Sequence, residues 1–252
     1  MSRYHFGAKV DPQKQKIRER VWNMMERQGI ARFPGAFGRI PNFVGAEDAA
    51  RKASQMEVFR KAKVIKSNPD SPQRKLREIA LSMGKLVYMA VPRLRERKCF
   101  VELNPVEIPQ NLVHEASTIK GAFKYGKLVS PNEMRRVDLI IAGSVAVNLQ
   151  GQRIGKGGGF SDLEFAIGRE FGLIDEDTPV LTTVHEIQIL DSEVFPWKPH
   201  DIPVDFIVTP SRVVETRTEY PKPEGIYWEL LTKQQLELIP ILRDLKEARR
   251  YG

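Results

Sequence analysis

The chain has a single cysteine, Cys99, in 252 residues. No intramolecular disulfide can form, and a reducing, cytoplasmic setting is the natural expectation. For that thiol a role as a small buried apolar group outweighs a catalytic one. Long apolar runs are also missing: none approaches the roughly 18 residues that a membrane-spanning helix needs, so no membrane partner is expected. The opening Met1-Ser2-Arg3-Tyr4-His5 carries no apolar signal core. His185 and His200 have no metal-ligand spacing with each other or with Cys99, so they read as structural groups or as supports for neighbouring side chains. No nucleophile-elbow serine with an acid and a histidine in order is present, which removes that type of acyl transfer. Internal repeats and low-complexity segments are absent as well.

Hydrophobic residues make up 41% of the chain, enough for a sizeable core. The length suits one large α/β domain or a domain with extensions. The formal net charge is +8, which suits an anionic partner such as a nucleotide, a polyglutamate or a nucleic acid. A generally basic surface gives the same balance, so charge alone does not choose.

Apolar spacing predicts an amphipathic helix over about residues 12 to 29, from Ile17, Val21, Met24 and Met25, with Pro12 near its start and Gly29 near its end. Lys14 and Arg18 are one helical turn apart and share a face, either as a phosphate-binding pair or as a solvated basic stripe. The Gly-, Pro- and aromatic-rich stretch from Phe33 to Phe43 reads as an ordered, packed loop. A second helix is expected from Ala46 to Phe59. Alternation then begins. Strands are expected at Ala62 to Ile65, Leu86 to Val91, Val137 to Ala142, Val180 to Val184 and Val204 to Val208, with an edge strand at Ile226 to Leu230. Helices are expected at Gln73 to Met83, Pro109 to Ser117, Leu163 to Phe171, and Lys233 to Arg250 with a break at Pro240. Such alternation implies a mostly parallel sheet covered on both faces, a three-layer α/β/α sandwich. Its ligands bind outside the carboxyl ends of the strands.

The stretch Gly151-Gln-Arg-Ile-Gly-Lys-Gly-Gly-Gly-Phe-Ser-Asp162 carries the most information. It lies between the expected strand ending at Ala142 and the expected helix beginning at Leu163. Gly155, Gly157, Gly158 and Gly159 leave backbone N–H groups unobstructed, and the following helix aims its positive end at a bound anion. Arg153 and Lys156 add two cations. The pattern matches neither the dinucleotide nor the P-loop signature, and a tight turn alone also uses glycines. Asp162, after the loop, and Asp201, in His200-Asp201-Ile202, are candidate magnesium ligands beside a phosphate. A helix cap and a turn are their ordinary alternatives. Arg93 and Arg95 follow an expected strand and Pro92, facing either an anion or solvent.

Three of these stretches together resemble the 5-formyltetrahydrofolate cyclo-ligase (methenyltetrahydrofolate synthetase) family. They are Lys14-Gln-Lys-Ile-Arg18, the run from Val137 through Asp162, and Pro199-His-Asp-Ile-Pro-Val-Asp205, in the family's order over about residues 12 to 210. Arg39 to Phe43 and Val91 to Arg95 look more like the methenyltetrahydrofolate synthetase domain-containing subgroup. The resemblance implies one cyclo-ligase-like domain over 1–252, with a NagB/RpiA/CoA-transferase-like fold and a C-terminal extension at 211–252 holding an edge strand and a charged helix. It implies an enzyme, expected as a monomer, that takes ATP, magnesium and a folate substrate. On this basis Lys14 and Arg18 hold ATP phosphates, and Arg153, Gly155, Lys156, Gly157, Gly158, Gly159 and Phe160 form the nucleotide loop. Lys14, Arg18, Arg153 and Lys156 serve as the catalytic cations, and Asp162 and Asp201 hold magnesium directly or through water.

The chain departs from the family in places. Phe160-Ser161-Asp162 stands where Tyr-Tyr-Asp is usual, and Ala146-Val147-Asn148 where Ala-Phe-Asp is usual. The acid that helps hold folate after the first strand falls in Lys66 to Ser71, with Asp70 the acid there. The competing expectation is a nucleotide-binding or RNA-associated protein without folate chemistry, although no aromatic RNP-like motif is visible.

Overall fold

The computed structural model describes residues 11–251; Met1–Val10, including the opening five residues discussed above, and Gly252 lie outside the described residues. Helix α1 runs Pro12–Arg27. Asp11 caps it, accepting from the N–H groups of Gln13 and Lys14, and Pro12 sits where a helix needs no donor. Helices α2 (Ala46–Gln55) and α3 (Glu57–Lys61) replace the one helix expected to Phe59. Met56 takes an extended backbone (φ −64, ψ 144) and breaks the pattern there.

The chain then lays down β1 (Val64–Ser67), α4 (Arg74–Ser82), β2 (Leu86–Ala90), β3 (Phe100–Leu103), α5 (Val113–Ala116), α6 (Ile119–Tyr125), β4 (Lys127–Val129) and β5 (Leu139–Ala142). A small hairpin, β6 (Ala146–Val147) and β7 (Arg153–Ile154), precedes α7 (Phe160–Glu170). After these come β8 (Val180–Thr183), β9 (Phe206–Val208), β10 (Val213–Glu215), α8 (Lys233–Leu238) and α9 (Pro240–Tyr251).

Eight strands form one sheet in the order β10-β9-β8-β5-β1-β2-β3-β4. The five central strands, β9 to β2, are parallel; β10, β3 and β4 join antiparallel at the edges. Strands β1, β2, β5 and β8 are buried throughout; β2 and β5 read as unbroken apolar runs for that reason, whereas β1 carries Lys66 and Ser67 and β8 carries Thr182 and Thr183. Their side chains alternate between two cores. Val64, Tyr88, Ile140, Val180 and Ile207 pack with Leu163 and Ile167 of α7 and with Ile239 and Leu242 of the tail. Ile65, Val87, Ile141, Leu181 and Val208 pack with Ala50, Leu76, Ala80, Val113 and Ala122 on the opposite face. Three layers result. A third cluster seats α1 (Val21, Trp22, Met25) on Ile40, Phe43, Ile154 and Phe195.

Three expectations are corrected. The edge strand at 226–230 is a 3-10 turn, Trp228–Leu230. The Ile226 N–H donates to Glu170 Oε1 at the end of α7, so a side chain takes the place of a strand partner. The extension's edge strand is β10. The glycine loop does not follow β5 directly, because the β6–β7 hairpin intervenes. Finally, α7 begins at Phe160, three residues early, which puts Asp162 inside its first turn.

The topology locates a crevice. From β1 the chain steps through α4 to β2 and outward to β4. It then returns to the other side of β1 and steps through β5, β8 and β9. Strand order therefore reverses between β1 and β5, and their carboxyl ends open a ligand crevice.

Candidate functional site

Four segments meet at that crevice. The first is the glycine loop. Gly157 and Gly159 have φ of +102 and +68, a backbone region that side chains resist, and Gly159 is the N-cap of α7. The loop thus turns sharply into the positive end of a helix eleven residues long.

The second is the end of β1. Asn68 Oδ1 accepts from Ser161 Oγ and from the Gly143 N–H, each at 3.1 Å, and its Nδ2 donates to Glu164 Oε2 at 3.3 Å. Glu164 is also the partner of Lys66, a buried pair between β1 and α7. One amide therefore ties β1, β5 and the first turns of α7 together. The Arg77 guanidinium, wholly buried on α4, donates to the carbonyls of Asn68, Pro69, Asp70 and Ser117. Burial pushes its pKa down to about 9, so it stays charged at neutral pH.

The third is α1, which crosses the mouth. Arg18 Nε donates to the Gly155 carbonyl at 2.7 Å, and its guanidinium lies 3.4 Å from where a Gly157 Cβ would stand. Burial lowers the Arg18 pKa and neighbouring Arg153 lowers it further; Asp162, Asp11 and Asp201 oppose them. Lys14 Nζ meets Asp201 Oδ2 at 2.5 Å, both side chains only 9% exposed. Asp201 belongs to the fourth segment, 198–202, whose Lys198 N–H also donates to Asp201 Oδ2 at 2.7 Å.

Arg153, on β7, donates to the Gly143 carbonyl at 2.9 Å and to Asp162 Oδ1 at 2.6 Å. The Ile202 N–H reaches the same Asp162 oxygen at 3.3 Å, so the two candidate metal carboxylates occupy one neighbourhood. Lys156 meets Asp70 Oδ1 at 3.2 Å across the crevice. The Phe160 ring folds back on the loop, 3.0 Å from a Gly158 Cβ position. All the residues singled out for the nucleotide and metal are thus gathered here. Arg93 and Arg95 lie on an exposed turn after β2, at the rim of the neighbouring strand; Arg93 and Leu94 take positive φ of 61 and 52. His185 caps a 3-10 turn, accepting from the Ile187 N–H, and is structural as expected.

The expected division of labour, cations for phosphate and carboxylates for metal, is only half visible. Asp162 and Asp201 are first of all the counter-ions of Arg153 and Lys14. Among the described residues no three His, Cys, Asp or Glu side chains gather as a metal cage. Among the described residues the hydrogen bonds of Asp162 are made through Oδ1. One or two carboxylates with phosphate oxygens and water are what magnesium usually takes, so the donor set fits an ion that arrives with a nucleotide.

Asn68, Glu164, Lys66 and Arg77 escaped the sequence reading. A lysine inside the apolar strand Val64-Ile-Lys-Ser67 and a glutamate inside the apolar helix run Leu163-Glu-Phe-Ala166 were the available signal. Opposite charges embedded in apolar elements need one another.

Residues 10–210 match the 5-formyltetrahydrofolate cyclo-ligase family. The chain is 40% identical over 234 residues to the methenyltetrahydrofolate synthase domain-containing protein of Bos taurus, covering 92% of this chain and 62% of that one. With the protein of the same description from Homo sapiens it shares 37% over 238 residues, covering 94% and 62%. The chain therefore spans about 62% of the length of these relatives. A solved structure of a 5,10-methenyltetrahydrofolate synthetase from Aquifex aeolicus aligns with a TM-score of 0.49 at 20% identity, covering 82% of this chain and 92% of that one.

Proposed function

This chain belongs to the 5-formyltetrahydrofolate cyclo-ligase family, and from that premise we propose that it is an ATP- and magnesium-dependent ligase. In this reading it closes 5-formyltetrahydrofolate to 5,10-methenyltetrahydrofolate with release of ADP and phosphate. One observation carries the proposal. Cations from parts of the chain far apart in sequence, Lys14, Arg18, Arg153 and Lys156, converge on the N-terminus of α7 where the strand order reverses. Helix N-terminus, glycine loop and cations together suit a polyphosphate.

The chemistry needs little from the protein beyond placement and charge neutralisation. The formyl oxygen attacks the γ-phosphorus, which makes a poor leaving group into a good one. N10 then attacks the activated carbon and phosphate departs. Arg18, set over Gly155 and Gly157, and the α7 N–H groups hold the chain of phosphates. Arg153, braced by Gly143 and Asp162, keeps the loop in register with β5. Lys14 and Lys156 neutralise charge that builds on the transferring group. Magnesium, when carried in with ATP beside Asp162, shields phosphate charge.

The test is ATP-dependent appearance of the methenyl product by absorbance, comparing wild type with Arg18→Gln. Loss of one such donor costs about 100-fold or more. A folded wild type that makes no product with ATP would refute the ligase reading. A second reading, a nucleotide-binding protein without folate chemistry, draws on the Ser161 hydroxyl being tied to Asn68 and on Phe160 lacking a hydroxyl. It predicts nucleotide binding with no turnover.

A further inference from the structure

Of the four site cations, three are held in the protein and one is not. Lys14 and Asp201 are buried together, and Arg153 is buried with its carboxylate partner at 2.6 Å. Arg18 is buried and bound to a carbonyl. Separating a buried cation from its partner strands a charge in a poor solvent, so these contacts are permanent fittings. Lys156 differs. Its side chain is 46% exposed, it stands on the glycine loop between two positive-φ glycines and Gly155, and its partner Asp70 is only 16% exposed. Exposed ion pairs contribute little net stability and exchange partners easily.

Asp70 is the better fixed of the two. Its carbonyl is held by Arg77, its carboxylate lies 3.0 Å from the Gly143 Cβ position, and the preceding Asn68 is locked to Gly143 and Ser161. The acid is therefore a fixture of the crevice floor, and the lysine is the moving part.

We propose that Asp70 is an affinity-setting residue of this site, a carboxylate that competes with the incoming polyphosphate for the Lys156 ammonium and yields it on binding. A polyphosphate carries more charge than one carboxylate and draws on the α7 N-terminus and Arg18 as well, so the exchange runs toward the ligand. While Asp70 holds the lysine, the loop is kept against the end of β1. Once the ligand takes over, the Asp70 carboxylate is released beside Gly143, between the ends of β1 and β5. The inference rests on the phosphate reading of the site above, but not on the folate chemistry.

Inorganic tripolyphosphate is the probe, because it needs neither a base nor a folate. Calorimetric titration would compare wild type, Asp70→Asn, Lys156→Met and the double variant, each checked by its melting curve. Asp70→Asn is expected to tighten binding about 2- to 5-fold. Lys156→Met is expected to weaken it about 10-fold. In the Lys156→Met background the Asp70→Asn gain should largely vanish. An equal gain in both backgrounds would mean simple repulsion and would overturn the exchange. Weaker or unchanged binding by Asp70→Asn would overturn it too, without touching a positive turnover assay. Conversely, a failed turnover assay leaves this titration intact. Tripolyphosphate that binds none of the four proteins overturns both this inference and the phosphate reading.

Discussion

Lys14→Met separates what the buried lysine does for the fold from what it does for the ligand. Lys14 faces Asp201 at 2.5 Å, with both side chains 9% exposed, and the contact joins residues 187 positions apart. Removing one member of a buried pair costs about 3–5 kcal/mol because it strands the other. Asp201 keeps the Lys198 N–H at 2.7 Å, which places the loss near the lower end, about 3 kcal/mol. At about 2–4 °C per kcal/mol for a chain of this size, the melting temperature should fall by about 6–12 °C. Adding Asp201→Asn removes the stranded charge and keeps an acceptor for Lys198, so about half of the loss should return. Turnover should behave differently. A phosphate needs the ammonium, so ATP-dependent product formation should stay about 100-fold or more down in the double variant although about half of its lost stability has returned, and Asp201→Asn alone, run beside it, gives the part of that loss due to the carboxylate. Thermal and urea melts at unchanged slope supply the first number, and the absorbance assay the second. A Lys14→Met protein that melts with wild type would refute the energetic argument. A double variant that regains turnover with stability would show Lys14 to be a strut only.

Two further outcomes follow from buried groups. Arg77→Met leaves the carbonyls of Asn68, Pro69, Asp70 and Ser117 without their donor; it should cost about 3 kcal/mol or more in a urea melt, and a loss under about 1 kcal/mol would mean that water replaces the guanidinium. Burial lowers the His185 pKa from 6.5, with Glu186 opposing. A depressed folded value favours the neutral ring, so its stabilisation is present above 6.5 and is lost as pH falls toward the folded value. Melting temperatures should therefore drop as pH falls below 6.5, and His185→Asn, which keeps the cap, should flatten that drop. Identical slopes in the two proteins would exclude His185 as the cause.

Much of the fold was legible because its causes are local. Unbroken apolar runs marked β2 and β5, since a parallel strand covered on both faces needs no polar alternation, and the valines and threonines of Val180 to Val184 marked β8. Pro12, the apolar stripe of α1 and the break at Pro240 needed only helix geometry. Strands β3, β4 and β10 were not legible. They are three or four residues long, and their identity comes from the partner they lie against, which only the assembled sheet supplies. The 226–230 segment shows the converse, an apolar stretch of strand-like composition whose backbone donor is taken by Glu170.

The site divides the same way. By itself the sequence determined that a glycine-rich turn with two cations precedes a helix, and that Lys14 and Arg18 share a helical face. Spacing along one element settles both. Only the tertiary structure decided which charge answers which: Lys14 to Asp201, Arg153 to Asp162, Lys66 to Glu164 and Lys156 to Asp70. The physical reason is that Coulomb attraction depends on distance and burial, and the chain brings these partners together only where its strand order reverses.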